Sequence, residues 1–493
     1  MNYQSTRDTG LSLTAAETIA RGLSREGGLF VPETVPQLTD ALLEKLTGMP
    51  YADRSAEVMK LFLSDFTAEE LSEYTRAAYS NFDTDSAAPL HRLDEKTSFM
   101  ELWHGPTCAF KDVALQILPR LLTASLRKTS ESKKVCILVA TSGDTGKAAL
   151  EGFKNVPDTA ILVFYPRDGV SDVQKLQMQS QAGDNVSVCA VEGNFDDTQT
   201  GVKQIFSDPE TARRLAEKGW FLSSANSINW GRLLPQIVYY ISAYCDLLTE
   251  GSIRMGEEIS FCVPTGNFGD ILACYYARKM GLPVKRMICA SNSNDVLTEF
   301  FRTGTYDRNR PFYATVSPSM DILISSNLER LIFDVSGKDP VYVASLMDQL
   351  KKEGCYTVSK EIRENLKTMF WAGCCDEAGT KAQIGKIWKE YGYLMDTHTA
   401  VAHQVLEQYR AQESTDEYVV VVSTASPFKF CNAVLEGMGY AGAENGLAAI
   451  DMLEKVTGIP APAPLAALRN AEVRFPQSVT KDRMPAVVED FLS

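Results

Sequence analysis

The chain has 493 residues, enough for two to four domains and a large buried core. Its 49 basic and 63 acidic residues give a net charge of −14, and so acidic a surface disfavours a nucleic-acid-binding protein because it repels phosphate backbones. A hydrophobic content of 45% with ordinary numbers of glycine (32) and proline (21) excludes disordered and collagen-like chains.

The sequence shows no sign of export or membrane insertion. No apolar run approaches the roughly 18 residues of a membrane span, and residues 1–10 lack the basic flank and apolar stretch of a secretory signal. The 11 cysteines are scattered without C-x-x-C spacing, so neither a disulfide framework nor a metal site is expected. We expect a cytoplasmic protein with reduced thiols.

The first part of the chain, residues 1–95, has a mostly helical pattern. Apolar residues recur at helical spacing over residues 38–50 and 55–66. A further helix over residues 67–79 begins with Thr67, and Glu70 follows three residues later, as in a capping box. The polar stretch that comes next, residues 80–89, indicates a linker.

Lys111 lies in the segment HGPTCAFKD, between Phe110 and an acidic residue, just before an apolar helix predicted over residues 113–122. Most lysines are solvated surface charges, and that interpretation stays open here. The apolar flank raises a second interpretation, a partly dehydrated amine, which is the less common one for a lysine. Dehydration lowers the pKa of a lysine and exposes a neutral nucleophile, as a Schiff base requires.

A strand, a glycine-rich turn, a helix and a second strand follow within about 30 residues. The strands are predicted at residues 135–140 and 160–165, and the turn is TSGDTG, residues 141–146. This is a βαβ unit of a parallel sheet. The turn offers Ser142, Thr145 and free N–H groups to a carboxylate or a phosphate.

Neither of two common nucleotide-binding motifs is present at these turns. Lys147 follows Gly146 as in a P-loop, but Ala148 stands where that motif needs serine or threonine, and the earlier glycine is too close, at residue 143. No G-x-G-x-x-G follows a predicted strand, so a nicotinamide cofactor has no support.

A dense polar run, SANSINWGRLLPQ, occupies residues 224–236 just before an apolar helix. Its arginine, Arg232, and the amide of Asn229 suit a phosphate group, which guanidinium binds in a bidentate manner. The alternative is an ordinary helix start capped by asparagine or serine. The residues alone do not separate the two interpretations.

The pattern of strand, turn and helix recurs later in the chain. Strands are predicted at residues 259–263, 284–290 and 418–425, and the turn GNFGD covers residues 266–270 at the start of a helix over 271–281. Glycines there let N–H groups converge at a helix N-terminus, which suits a phosphate, although a plain turn with a helix cap explains them equally well.

Apolar strands that alternate with helices predict an α/β fold with buried parallel sheets. Ligands bind beyond the carboxyl ends of the strands in such sheets. We therefore expect the functional residues in three loops at strand ends, namely residues 141–146, 264–270 and 424–429. A helix is predicted to begin near the last of these, at Lys429.

Taken together, nine blocks of the sequence resemble the threonine synthase family, in its long bacterial and fungal form. The resemblance covers nearly the whole chain, and the order of the blocks makes it specific. The blocks are STRDTG, GLSREGGLFVPE, ELWHGPTCAFKDVALQ, TSGDTGKAAL, NSINWGRLLPQ, PTGNFGDILA, SPSMDILISSNLERL, DTHTAVA and STASPFKF.

The resemblance implies a fold type II pyridoxal-phosphate enzyme, similar to the tryptophan synthase β subunit. We expect a helical N-terminal domain over residues 1–95 and two parallel-sheet α/β domains. The first of these, residues 96–250, would contain the Schiff-base lysine and the TSGDTG loop. The second, residues 251–493, would contain the loop for the cofactor phosphate.

The resemblance also assigns roles to residues, with pyridoxal 5'-phosphate as the cofactor and no metal. Lys111 is expected to bind the cofactor covalently and to act as the catalytic base. The other expected cofactor-binding residues are Asp144, Gly266, Asn267, Phe268, Gly269, Asp270 and Thr424. The expected substrate-binding residues are Ser142, Thr145, Asn229, Arg232 and Ser319.

The reaction implied is the conversion of O-phospho-L-homoserine and water to L-threonine and phosphate, by γ-elimination and β-addition. The alternatives are a threonine or serine dehydratase or a sulfhydrylase, whose substrates carry no γ-phosphate, and a non-catalytic regulator descended from the enzyme. A monomer or homodimer without nucleic-acid or membrane partners is expected.

Two blocks depart from the family's usual pattern. Ser426 replaces the histidine of T-A-H-P-A-K-F, which puts any role of that histidine in doubt, and Thr397 replaces the proline of D-P-H-T-A. Neither change affects the lysine or the phosphate loop. Of the four histidines, two lie in the matching blocks and are expected near the substrate, and two are expected to be structural. The first pair is His104 and His398, and the second is His91 and His403.

Overall fold

The computed structural model describes residues 1–167 and 170–493, the side chain of Asp196 excepted. Its strands are β1 (Tyr3–Ser5), β2 (Phe30–Pro32), β3 (Leu90–Arg92), β4 (Thr97–Glu101), β5 (Lys134–Ala140), β6 (Thr159–Pro166), β7 (Val186–Val191), β8 (Trp220–Ser223), β9 (Ile259–Pro264), β10 (Val284–Ser291), β11 (Thr305–Asp307), β12 (Cys355–Thr357), β13 (Phe370–Cys374), β14 (Val419–Ser423) and β15 (Ser478–Val479).

The helices carry most of the remaining chain. They are α1 (Ala15–Arg21), α2 (Asp40–Thr47), α3 (Tyr51–Lys60), α4 (Ala68–Tyr79), α5 (Lys111–Leu115), α6 (Leu118–Lys128), α7 (Asp144–Phe153), α8 (Asp172–Gln179), α9 (Phe195–Ser207), α10 (Pro209–Glu217), α11 (Trp230–Thr249), α12 (Gly269–Lys279), α13 (Val296–Thr303), α14 (Leu328–Val335), α15 (Pro340–Glu353), α16 (Lys360–Met369), α17 (Glu377–Tyr391), α18 (Thr397–Glu413), α19 (Cys431–Gly437), α20 (Gly446–Thr457), α21 (Ala463–Ala466) and α22 (Met484–Phe491).

The regular structure of the N-terminal region consists of four helices, α1 to α4, and short strands, and Thr67 and Glu70 form the expected capping box at α4. The helix predicted over residues 55–66 is wrong in extent, because α3 ends at Lys60. The chain turns after that residue, and the turn buries Phe62, Leu63 and Phe66 together.

A five-stranded parallel sheet, in the order β15-β7-β6-β5-β8, forms one half of the α/β core. Its central strands β5 and β6 bear the apolar runs predicted at residues 135–140 and 160–165. They are buried along nearly their whole length because helices cover both faces. The sheet brings the loop after β5 to its carboxyl edge.

A six-stranded sheet, in the order β13-β10-β9-β14-β4-β3, forms the other half, and only β3 pairs antiparallel to its neighbour. These two sheets confirm the predicted α/β fold. Strands that are far apart in the sequence share a sheet. Strand β4 lies beside β14, and β15 near the C-terminus joins β7.

The helix predicted over residues 113–122 is two helices, α5 and α6, with a break between Leu115 and Leu118. Pro119 lacks the N–H group that would bond to the carbonyl of Leu115, so a continuous helix is disfavoured. Near Lys429, a short 3₁₀ turn over Pro427–Lys429 precedes α19. In the part of the chain that the structure covers, no helix combines the length and apolar character that membrane crossing needs.

Candidate active site

A cavity of about 590 Å³ lies at the carboxyl ends of β5, β9 and β14, between the two sheets. All but one of the predicted site residues line it. They are Lys111, Ser142, Asp144, Thr145, Arg232, Gly266, Asn267, Phe268, Gly269, Asp270, Ser319 and Thr424. The prediction that ligands bind beyond the carboxyl ends of the parallel strands is thus consistent with the position of this cavity, which residues from all three predicted loops line.

Lys111 begins α5, and its side chain is buried at the cavity wall. Its Nζ lies 3.4 Å from Ser319 Oγ, 3.8 Å from Asp144 Oδ2 and 4.5 Å from the ring centre of Phe110. Burial lowers the pKa of the Lys111 amine to about 8, although the charge of Asp144 opposes the shift. The surface interpretation of this lysine is therefore wrong.

The TSGDTG loop connects β5 to α7 and is fixed from within by Thr141. Its Oγ1 accepts hydrogen bonds from the N–H groups of Gly143 (3.0 Å) and Gly146 (2.9 Å). Gly143 has φ of +134°, a conformation that glycine tolerates and other residues avoid. Ser142 and Thr145 remain half-exposed toward the cavity. The sequence interpretation missed the role of Thr141.

The loop over residues 266–269 connects β9 to α12 and offers a cradle for an anion. Its four backbone N–H groups donate no hydrogen bond to any described residue, and they lie at the N-terminus of an 11-residue helix. The carbonyl of Asn267 accepts two bonds from Asn327. Phe268 has φ of +64°, which is uncommon for a bulky residue, and its buried ring lies 6.0 Å from that of Phe370. This arrangement fits a phosphate group.

Asp270 follows the cradle in the first turn of α12. Its Oδ1 accepts hydrogen bonds from the hydroxyl groups of Tyr239 (2.5 Å) and Tyr240 (2.6 Å), while Oδ2 has no partner among the described residues. Burial raises the pKa of this carboxyl group to about 6, and the two hydroxyl groups oppose the shift. At neutral pH most of this carboxyl group is still ionised, and the two tyrosine hydroxyl groups stabilise its charge.

Arg232 contributes a buried cation to the cavity. Its Nη1 donates to the carbonyl of Ala225 at 2.6 Å, while its Nε has no partner in residues 1–167 and 170–493. Burial lowers its pKa to about 10, which leaves the guanidinium charged at neutral pH. A buried, partly unsatisfied guanidinium is a site for a second anion.

Asn229 is the predicted site residue that does not line the cavity. Its Oδ1 caps α11 by accepting from the N–H of Gly231, and its Nδ2 donates to the carbonyl of Ile19 at 3.0 Å. Both polar groups are therefore occupied within the protein. The position supports the alternative of a helix cap, and the predicted substrate contact of Asn229 finds no support.

His398 is a further cavity residue, as expected from its block. Its Nδ1 lies 2.6 Å from Asp396 Oδ2, and its Nε2 lies 3.2 Å from the N–H of Ser319. The neutral tautomer with the proton on Nδ1 satisfies both contacts. His398 therefore holds the backbone of Ser319 beside Lys111.

The other histidines lie outside the cavity lining. His104 was expected near the substrate, but it pairs with Asp83 and Glu101 and does not line the cavity. The rings of His91 and Tyr393 are 4.6 Å apart, and His403 is buried, in agreement with structural roles. Ser426 is buried and caps the 3₁₀ turn, so it does not take the place of a histidine in the cavity.

Arg330 is a buried residue that sequence reasoning missed, and it holds the cradle from behind. It donates to the carbonyl groups of Phe30 (2.9 Å) and Ile228 (2.6 Å) and to the side chain of Asn327, which in turn binds the carbonyl of Asn267. The N-terminal region, the segment before α11 and the cradle are thus joined by one guanidinium.

We expect Arg330→Met to lower the free energy of unfolding by about 3 kcal/mol, because three buried acceptors lose a charged donor. Urea unfolding followed by fluorescence measures the change. Arg302→Met is the control, since Arg302 is half-exposed and pairs with Glu299 at 3.6 Å, and it should change stability by less than about 1 kcal/mol. Equal losses in the two variants would contradict the role of Arg330.

Three comparisons with known proteins bear on this site. Residues 2–79 match a family described as threonine synthase N terminus, residues 86–425 match pyridoxal-phosphate dependent enzymes, and residues 399–485 match threonine synthase, C-terminal. The threonine synthase of Pseudomonas aeruginosa is 39% identical over 90% of this chain and 92% of its own length.

A solved structure of pyridoxal-phosphate-bound threonine synthase from Brucella melitensis is 37% identical, has a TM-score of 0.88, and aligns over 100% of this chain and 98% of that one. Threonine synthase-like 1 of Macaca fascicularis is 42% identical over 86% of this chain. The match spans only 58% of the length of that relative.

Proposed function

The chain belongs to the threonine synthase family of pyridoxal-phosphate-dependent enzymes, and from this we propose that it converts O-phospho-L-homoserine and water to L-threonine and phosphate. One observation carries the proposal. A single cavity contains a buried amine of lowered pKa, an unsatisfied amide cradle and, separately, an unsatisfied buried guanidinium. These groups suit an aldehyde, a cofactor phosphate and a substrate phosphate.

The residues present fit pyridoxal phosphate. The N–H groups of residues 266–269 would hold its phosphate, and Lys111 Nζ would hold its aldehyde carbon. Thr424 lines the same cavity and would contact the ring nitrogen, while Asp144 would lie near the ring oxygen. When bound, the cofactor withdraws electrons from the α-carbon of an amino-acid substrate.

The remaining residues bind the substrate and move protons. Ser142 and Thr145 would bind the α-carboxylate at the N-terminal end of α7, and Arg232 and Ser319 would bind the γ-phosphate. Lys111 Nζ would accept the proton from Cα and later one from Cβ, because its lowered pKa leaves a neutral amine accessible near pH 8. The phosphate would leave from Cγ, and Cγ would take up a proton to become the methyl group of threonine. The hydroxyl group of water would then add at Cβ, and a proton would return to Cα.

The direct test is to supply O-phospho-L-homoserine as the sole substrate and measure inorganic phosphate and threonine. We expect the two products in equal amounts. Formation of 2-oxobutyrate from threonine without phosphate release would favour a dehydratase, and bound cofactor without turnover would favour the regulator. Either result would contradict the proposal.

A substitution at the second anion site sharpens this test. We expect Arg232→Met to raise the KM for O-phospho-L-homoserine about 10- to 100-fold, the value of one charge-assisted hydrogen bond to phosphate. The affinity for pyridoxal phosphate, measured by absorbance titration, should change much less. A loss of cofactor affinity with an unchanged KM would place Arg232 at the cofactor instead.

We further propose that the enzyme works in the cytoplasm as a monomer or homodimer. The eleven cysteines are free thiols in the structure, and nine of them are buried, which supports a reducing environment. Size-exclusion chromatography with light scattering would decide between monomer and homodimer, and a larger assembly would contradict both.

A further inference from the structure

Lys429 is a second buried lysine next to the candidate active site, and the mechanism above does not use it. Its side chain is fully buried. Its Nζ lies 2.7 Å from Asp144 Oδ1 and donates to the carbonyl of Thr107 at 2.9 Å. It does not line the cavity, so it acts on the site only through other residues.

The two oxygens of Asp144 have different surroundings. Oδ1 faces away from Lys111 and is bound by Lys429 and by Gln174 Nε2, which lies at 2.8 Å. Oδ2 faces the cavity, 3.5 Å from Ser319 Oγ and 3.8 Å from Lys111 Nζ. One carboxylate is thus shared by two buried amines, and its short contact is with the amine that lies outside the cavity.

We propose that Lys429 is a positioning residue, which anchors Asp144 through Oδ1 and keeps that carboxylate from forming a full ion pair with the Lys111 amine. The inference deepens the proposed function and relies on it only for the activity measurement. The neutral amine that both cofactor binding and proton abstraction require is then present at a lower pH than an ion-paired lysine would allow.

The charges around Lys111 give the sign of the effect. Its amine feels Asp144 on α7, Asp270 on α12, Arg232 on α11 and Lys429, and His398 lines the same cavity. Loss of Lys429 removes a nearby positive charge and frees Asp144 to pair with Lys111 alone. Both changes favour the protonated amine, so both raise the pKa of Lys111.

The charges around Asp144 agree with this assignment. Burial alone would raise the pKa of this carboxyl group, but Lys429 and Lys111 together lower it well below its usual range. Asp112 is a second buried carboxyl group that feels Lys429, and it is satisfied by Thr107 at 2.7 and 2.8 Å. Asp144 is therefore the carboxylate that Lys429 contacts directly.

The experiment measures, at a series of pH values, the rate at which the cofactor-free, full-length chain binds pyridoxal phosphate. Only the neutral amine attacks an aldehyde, so the rate of the unmodified protein should be half-maximal near pH 8. In Lys429→Met the midpoint should move up by about one pH unit, as expected for a lysine that gains an unshared carboxylate.

Further variants separate positioning from mere packing. Lys429→Gln keeps a donor for Asp144 but removes the charge, so the pH midpoint of this variant should also rise. It replaces Lys429→Met in the experiment if that variant does not fold. Asp144→Asn should lower the midpoint, because two amines then lie close together without a carboxylate. Lys147→Met is the matched control, since Lys147 pairs with Glu151 and should leave the midpoint unchanged.

An unchanged or lowered midpoint in folded Lys429→Met or Lys429→Gln would overturn the inference, as would an unchanged midpoint in Asp144→Asn. The pH dependence of kcat/KM for phosphate release should shift in the same direction. If the unmodified protein released no phosphate while the binding midpoints moved as described, the proposed function would fail and the role of Lys429 would stand.

Discussion

Lys111→Ala should release no phosphate from O-phospho-L-homoserine above background, a loss of at least about 10⁴-fold if a single group serves as both covalent anchor and base. The variant should also fail to retain pyridoxal phosphate through gel filtration. The physical reason is that two lysines line the cavity in the described part of the chain, and Lys111 is buried whereas Lys203 on α9 is exposed.

The control for this variant is Lys147→Ala. Lys147 lies on α7 directly after the TSGDTG loop, but its Nζ contacts Glu151 and Gln181 instead of the cavity. Its replacement should leave phosphate release within about threefold of normal. Measurable turnover by Lys111→Ala, beyond a trace, would show that another group performs the chemistry.

Gly266→Ala should weaken pyridoxal phosphate binding by about 100-fold, the scale expected when a built site is displaced by roughly 1 Å. A Cβ at this position would lie 2.4 Å from the carbonyl oxygen of Ser319. That atom belongs to the backbone, so the cradle and the segment that carries Ser319 must separate. Absorbance titration of the cofactor-free chain measures the loss.

Gly48→Ala provides the comparison for the glycine substitution. Gly48 ends α2 with a negative φ of −88°, and no heavy atom lies within 4 Å of the Cβ position. Its replacement should not change the affinity for cofactor. Equal affinities for Gly266→Ala and the unmodified protein would exclude residues 266–269 as the phosphate cradle.

The α/β core could be predicted from sequence because its signals are local. Apolar runs of five to seven residues marked β5, β6, β9 and β10, and glycine-rich turns followed β5 and β9. The topology of parallel sheets then put these two turns at the carboxyl edges of the sheets. Helix ends were less accurate, as at Lys60 and Pro119, since buried turns and a missing N–H group decide them.

The candidate site was predictable where a reactive or anion-binding group has unusual neighbours in the sequence. Lys111 and the 266–269 loop combine a chemical group with an unusual flank. The role of Asn229 was not predictable, because an asparagine before a helix caps the helix as readily as it binds a ligand. Its contacts with Ile19 and Gly231 identify it as a cap.

Residues that act through others left no signal in the sequence. Thr141 and Arg330 are recognised only by the distant backbone groups that they bind. Lys429 is separated from Asp144 by 285 residues, and nothing local indicates that their side chains meet. Such partners follow from tertiary packing, which a single sequence does not encode in any short pattern.

The most direct test of the account is to reduce the protein with borohydride in the presence of pyridoxal phosphate and to identify the labelled peptide by mass spectrometry. We predict one pyridoxyl group per chain, attached to Lys111. A label on Lys429, Lys147 or any other lysine, with Lys111 unmodified, would contradict the assignment of the reactive amine and with it the mechanism.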